Sequence, residues 1–333
     1  MNFGVILDNT FEASINQNVI IYALAAIGLN VHFGYTGLLN FGQVGFMAAG
    51  AYGTGISMTY FGAPLWLGFL CGLLAGGVLA VLLGIPTLRL RADYLAIVTI
   101  AAGEIVRLYM RAAVFRDVTG GSNGLNGFAN EFQERNPLPD RIYRIPLGLF
   151  DIDFNKQDMW ELLVGWTLVA IALLVVYLLM NSPWGRVVKA IREDEDAVRA
   201  LGKNAYAFKM QSLLLGGLFG ALAGIFFAVQ ANSVQPDNYS TPVTFFALTA
   251  AILGGLARVA SPVLGAMFFW GGMQFIETTL RQAEADNIIP EWIMNSTQVG
   301  QVRYIVLGLA MVLLLVFRPQ GMLGDRREIM FDR

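Results

Sequence analysis

The sequence predicts an all-α integral membrane protein: a multi-pass helical bundle with about nine spans, within a range of eight to ten. Three observations predict it. Apolar residues make up 56% of the 333 residues and charged residues only 14%, against about 25% charged in a soluble domain. The apolar residues gather in blocks, and a block of ~20 residues crosses a bilayer as a helix. The charges gather in the gaps, above all in the stretch SPWGRVVKAIREDEDAVRALGKNAYAFK at 182–209.

The blocks fall near 19–33, 38–60, 64–85, 94–114, 160–180, 210–231, 243–256, 262–280 and 302–317. The first and seventh are short. Partial or re-entrant helices of that kind are tolerated in a membrane only where they pack inside protein. The chain holds 37 glycines. Gly68, Gly72 and Gly76, like Gly216, Gly220 and Gly224, recur every four residues, which aligns them on one helix face and favours close helix contact in lipid. The stretches 34–55 and 253–272 each run from a Gly-rich turn into a small-residue helix, in the manner of repeated units in transporters.

Orientation follows from positive charge in short loops. Arg89 and Arg91, the loop 182–209, and the tail with Arg318, Arg326, Arg327 and Arg333 fall on one side if nine helices span. That side is cytoplasmic, so the C-terminus is cytoplasmic and the N-terminus external. The segments 115–159 and 281–301 are then external. The start, MNFGVILDNTFEASINQ, has no Lys or Arg and does not read as a cleaved signal peptide.

The loop 182–209 is patterned as two short helices. Ser182 suits an N-cap and Pro183 a first helical position, and Val187, Val188 and Ile191 recur at helical spacing. The acids Glu193 to Asp196 favour the start of a second helix through its dipole. Ala197, Val198, Ala200 and Leu201 give that helix a small, smooth apolar face, and Gly202 suits its stop. A compact helical pair beside a membrane is the form of a docking handle for another protein.

Net charge −2 speaks against nucleic acid. The sole cysteine, Cys71, permits no disulfide framework and belongs to no metal motif. With His32 the sole histidine, no catalytic triad can be assembled, and the reading is of a chain that is not an enzyme. His32 itself reads as a hydrogen-bonding residue near a helix end. No GxxxxGK[ST] occurs, so the chain holds no P-loop for ATP. It binds no cofactor, and any ATPase is a separate chain.

Three sets of polar residues stand out. Glu104 and Arg107 lie three apart in AIVTIAAGEIVRLYMRAAV, on one face near mid-membrane, and Arg111 continues that face. Charge at such depth usually faces a cavity or a partner. It either lines a transport path, able to meet an amino-acid zwitterion, or locks helices as an ion pair. Asn40 and Gln43 in LLNFGQVGF either contact substrate or cross-link helices. Gly120, Gly121, Ser122, Asn123 and Gly124 form an external loop whose composition allows left-handed turns and exposed amides. It is a candidate outer mouth. The Pro-rich NPLPDRIYRIP that follows reads as extended.

The ordered set GLNVHFGYTGLLNFGQVGFMAAGAY, LRLRADYLAIVTIAAGEIVRL, VTGGSNGL, AIREDEDAVRALG, ILGGLARVASPVLGA and VFRPQGMLG resembles the permease subunits of branched-chain amino-acid ABC importers, of the LivM type, over most of the chain. The resemblance implies that residues 1–333 form a single transmembrane permease domain in a bacterial cytoplasmic membrane. It would pair with a second, LivH-like permease to form the path for leucine, isoleucine or valine. Two ABC ATPase subunits would bind the ATP and dock on 182–209, and an extracytoplasmic binding protein would deliver substrate. Glu195, Ala197, Ala200 and Gly202 match the family's ATPase-coupling motif, with Arg192 and Leu201 beside them and Val198 at a usual alanine. LARVASPVLGA departs from the commoner GGxGSxxGPxxGA at Ala257, Arg258 and Ser261. A urea or short-amide importer has the same architecture and is the alternative. An ion-coupled secondary transporter is a further one, resting on the Glu104–Arg107 face alone.

Overall fold

The computed structural model describes residues 3–90, 92–146, 151–286, 296–317 and 320–323. Each of the nine predicted blocks falls on a helix among them. The helices are α1 (Phe3–Ala13), α2 (Gln17–Leu29), α3 (Gln43–Phe61), α4 (Leu65–Thr87), α5 (Ala92–Arg111), and the short α6 (Arg116–Thr119) and α7 (Asn130–Glu134). Then come α8 (Lys156–Asn181), α9 (Pro183–Glu193), α10 (Glu195–Ala200), α11 (Ala205–Gln230), α12 (Thr241–Gly254), α13 (Ser261–Ala285) and α14 (Ser296–Phe317). Two small ribbons depart from a purely helical fold. β1 (Leu125–Asn126) pairs antiparallel with β4 (Ser233–Val234), and β2 (Tyr143–Pro146) pairs with β3 (Asp151–Phe154). Arg91 and the tail arginines lie outside the described residues, as does 287–295.

The centre is α2, which is apolar all round and buried nearly all round, as a helix enclosed by others must be. Asn16 caps it, its Oδ1 accepting from the Val19 amide at 3.2 Å. Its block looked short, but a π-helix over Asn30–Thr36 prolongs it to a 20-residue rod. α11 crosses it at Gly28 and Gly216, where a Cβ on either glycine would fall 2.4–2.6 Å from a backbone oxygen of the other. Only two glycines permit that approach. The Gly216, Gly220, Gly224 stripe meets α2 and α3 in this way, and the Gly68, Gly72, Gly76 stripe of α4 meets α3 and α11. Both stripes are packing faces. α4 and α8 close the bundle outside, exposing leucine, isoleucine and valine.

Two features differ from the sequence reading. α3 begins at Gln43 rather than near 38, because Gly37 turns left-handed at φ +71° and the chain runs unhelical to Gly42. α1 was not anticipated. It is held by α13, where Gly271 admits Ser14. α12 is indeed short, at 14 residues. The rest of that crossing is made by β4 and a 3-10 turn, Pro236–Tyr239. The Tyr239 hydroxyl donates to Gly224 O at 3.5 Å, six residues short of the end of α11. This unhelical backbone is partly shielded by protein: β1 pairs with β4, and Pro236 and Tyr239 are buried, whereas Gln235, Asp237 and Asn238 are exposed.

Candidate functional site

Two sites emerge, at opposite ends of the bundle. The first is the pair α9–α10. Ser182 and Asp194 cap the two helices, the Asp194 carboxylate accepting from the Ala197 amide at 2.9 Å. Gly202 ends α10 at φ +73°, a conformation that costs an L-residue about 1–2 kcal/mol. The buried side chains of the pair are Val188, Ile191 and Val198. Val198 therefore faces inward, whereas Ala197, Ala200 and Leu201 face out, with Leu201 79% exposed. The exposed ridge is small and apolar, as a docking surface needs to be.

Glu195 is turned away from that ridge. Its carboxylate accepts from Arg199 at 2.7 Å and from the Lys209 ammonium on α11. Arg192 donates through Nη1 to Gly34 O, at the foot of the π-helix. So α9–α10 is fastened to both central helices: through Glu195 to α11 and through Arg192 to α2. Beneath the fastening lies a half-polar cavity of about 440 Å³ whose lining includes Arg89, Arg192, Glu195 and Lys209.

The second site lies on α5 and the Pro236–Tyr239 turn. α5 packs on α3 where Gly103 meets Gly45, and its Thr99 Oγ1 accepts the Phe41 amide at 3.0 Å. That contact fixes which face of α5 turns outward. Arg107 Nε donates to both Glu104 oxygens, at 3.1 and 3.0 Å. Its Nη1 reaches Asp237 Oδ1 at 2.6 Å, and Arg111 Nη1 reaches the same oxygen at 3.2 Å. Arg107 is only 14% exposed, Asp237 58%. The loop with Gly120 to Gly124 packs beside this turn and α5. Gly121 is buried, and Ser122 and Asn123 are exposed. The structure thus joins two sets of residues that are separate in the sequence. Asp237, which links them, was missed. Its only local signal is a Pro-led turn, QPDNYS, after α11.

Asn40, Gln43 and His32 form a different kind of site, fully buried. Asn40 Nδ2 donates to Gln43 Oε1 at 3.3 Å and to His32 Nδ1 at 3.0 Å, while His32 Nε2 donates to Leu213 O at 3.2 Å. Gln43 Nε2 donates to Gly216 O at 3.0 Å and to Ala25 O at 3.4 Å. These bonds tie α2, α3 and α11 together. Among the described residues no cluster of three or more His, Cys, Asp or Glu could hold a metal.

A multi-pass apolar bundle with a charged outer face and an exposed small-residue ridge at one end fits the class of membrane transport permeases. The chain belongs to the family described as the branched-chain amino acid transport system / permease component, whose model matches residues 13–315. It is 32% identical over 319 residues to the high-affinity branched-chain amino acid transport system permease protein LivM of Salmonella typhimurium, covering 92% of this chain and 69% of that one. It is 23% identical to the probable LivM of Methanocaldococcus jannaschii, covering 92% and 91%. The guanosine ABC transporter permease protein NupQ of Bacillus subtilis is 25% identical over 252 residues, covering 72% and 73%. No solved structure matches.

Proposed function

We propose that the chain is one of two permease subunits of an ATP-driven importer and that leucine, isoleucine and valine are its substrates. It catalyses no covalent step. It crosses a bacterial cytoplasmic membrane nine times, with 182–209 and the C-terminus in the cytoplasm. Separate ATPase subunits bind the ATP and dock on the ridge of Ala197, Ala200 and Leu201. A second permease completes the path, and an extracytoplasmic binding protein loads it beside the Gly120–Gly124 loop, here the outer mouth.

The observation that carries the substrate class is the paired-charge face of Glu104, Arg107, Arg111 and Asp237. Amino acids are zwitterions and can exchange with such pairs, whereas nucleosides and urea are uncharged and gain little from them. Asn40 and Gln43, fully buried between α2, α3 and α11, brace the helices. The test is uptake of labelled leucine into proteoliposomes holding the complete complex, with guanosine and urea as competitors. Leucine uptake that neither competitor reduces is the expected result. Guanosine uptake without leucine uptake overturns the reading in favour of the nucleoside importers the chain also resembles.

A further inference from the structure

We infer that Arg107, Arg111 and Asp237, with Glu104 behind them, are the subsite that receives the α-carboxylate and α-ammonium of the substrate. The inference deepens the amino-acid reading above and rests on it.

Position comes first. The Pro236–Tyr239 turn stands inside the rim of the bundle. The Tyr239 hydroxyl donates to Gly224 O of α11, and β4, which leads into the turn, packs on α3 where a Cβ on Gly55 would meet Val234. Six residues of α3 lie beyond Gly55 and six of α11 beyond Gly224, or ~9 Å of helix. Yet Gln235, Asp237 and Asn238 are exposed on this turn, facing the same side as Arg111. Exposed charge at that depth cannot face lipid tails without a large penalty. α4 and α8 expose Leu70, Leu74, Val78, Leu174 and Leu178, and α5 itself exposes Ile105 and Leu108 at the edge of the charged strip, which bounds the polar area to that strip and the turn. The α5–turn face therefore borders a hydrated space.

Charge arrangement comes second. The cluster alternates in sign, from Glu104 through Arg107 to Asp237 and Arg111. Two cations and two carboxylates sum to zero, so the cluster suits a neutral ligand that carries one charge of each sign. A substrate carboxylate can take the place of Asp237 on the two guanidiniums, which favour planar carboxylates. The ammonium then takes the freed Asp237 carboxylate. Arg107 keeps Glu104 throughout. Each ion has a partner before, during and after the exchange, which keeps the cost of unpairing low.

A third observation is independent of these charges. The Tyr52 hydroxyl is buried and has no hydrogen-bond partner among the described residues. An orphaned buried hydroxyl costs about 1–3 kcal/mol and calls for a role. Tyr52 lies on α3, which packs against the Pro236–Tyr239 turn, and its hydroxyl is available to a ligand seated there.

The complete complex in proteoliposomes tests the inference. Arg107→Gln, Arg111→Gln and Asp237→Asn should each lower leucine uptake at least tenfold, while ATP hydrolysis stimulated by the binding protein persists. Asp237→Glu should retain most uptake. A second readout separates a substrate site from a mere brace. With Cys71→Ala and Asn238→Cys in place, leucine should slow modification of the new thiol by a charged methanethiosulfonate reagent, and Asp237→Asn should abolish that protection. Uptake within twofold of wild type for Arg111→Gln and Asp237→Asn overturns the inference, as does a thiol indifferent to leucine. Should Arg107→Gln fail to assemble, those two more exposed positions decide. A wild-type complex that carries guanosine and no leucine overturns the substrate reading itself, and the inference with it.

Discussion

α4 and α5 are neighbours in sequence and both pack on α3 through glycine, and both expose apolar side chains, Ile97, Ile105 and Leu108 on α5 among them, yet only α5 adds a charged strip. α4 carries no charged residue from Leu65 to Thr87. Its outer face lines, with Leu214 and Leu218 of α11, a groove of about 580 Å³ that is apolar throughout. α5 carries Glu104, Arg107 and Arg111 on a face that reaches Asp237. The packing faces are alike because close helix contact makes the same demand everywhere. The proposed function would place lipid tails against α4 and the transport path against the charged strip of α5. A surface residue in a membrane protein thus reports what lies beyond the protein.

The comparison can be broken most severely by moving a charge between the two faces. Val78→Asp on α4 should cost ~2.5–3.5 kcal/mol of insertion and deplete folded protein, read as monodisperse material after detergent extraction. Asn238→Asp on the polar face should change stability by less than about 0.5 kcal/mol. Equal losses at both positions would refute the assignment of solvents.

A charge on a third surface should separate transport from folding. Ala200→Asp places a carboxylate on the exposed ridge of α10 and should reduce uptake at least about tenfold, equivalent to ~1.4 kcal/mol of docking, with protein levels unchanged. Normal uptake by a well-expressed variant would remove the ridge as the ATPase contact. A smaller effect is expected at the fastening. Glu195→Gln weakens the links to Arg199 and Lys209, partly exposed pairs worth about 0.2–1 kcal/mol. Uptake per ATP hydrolysed should fall roughly two- to fivefold, without loss of ATPase binding measured by co-purification.

The smallest effect concerns the turn between α12 and α13. Ala257 adopts φ +60°, the left-handed region that favours glycine. The left-handed conformation costs alanine about 1–2 kcal/mol, offset in part by the greater unfolded-chain entropy of glycine, about 0.4–1 kcal/mol. Ala257→Gly should stabilise the protein by about 0.5–1 kcal/mol, visible as a higher Tm. A lower Tm would show that the turn is held by more than backbone conformation. Ser261 closes this turn by donating to Gly255 O and Arg258 O.

Much of this was legible along the chain. The membrane class, the helical blocks and the capped pair at 182–209 are written in local composition and in residues three or four apart. Ser182, Pro183, Asp194 and Gly202 each act on their own helix end, so their signals survive without tertiary context. Other features were not legible, for a common reason. Val198 looks like part of the α10 ridge until packing turns it inward. Glu195 matches the coupling motif, but Lys209, on the next helix, turns it back. α1 has no strong apolar run of its own and is held in place by α13.

By itself, the sequence determined that the chain lives in a bilayer, roughly where it crosses and where it offers a handle. Those properties follow from hydrophobicity and helix periodicity, which act over one or two turns. Only the tertiary structure decided that Arg107 meets Asp237 across 130 positions of sequence, that α12 is preceded by a turn packed on α3 and α5, and that Asn40, Gln43 and His32 meet in one buried hydrogen-bonded group. Ion pairs and buried hydrogen bonds form between groups a few ångströms apart in space. Which groups come that close is set by helix packing, through glycines such as Gly28 and Gly216 that let one helix lie against another.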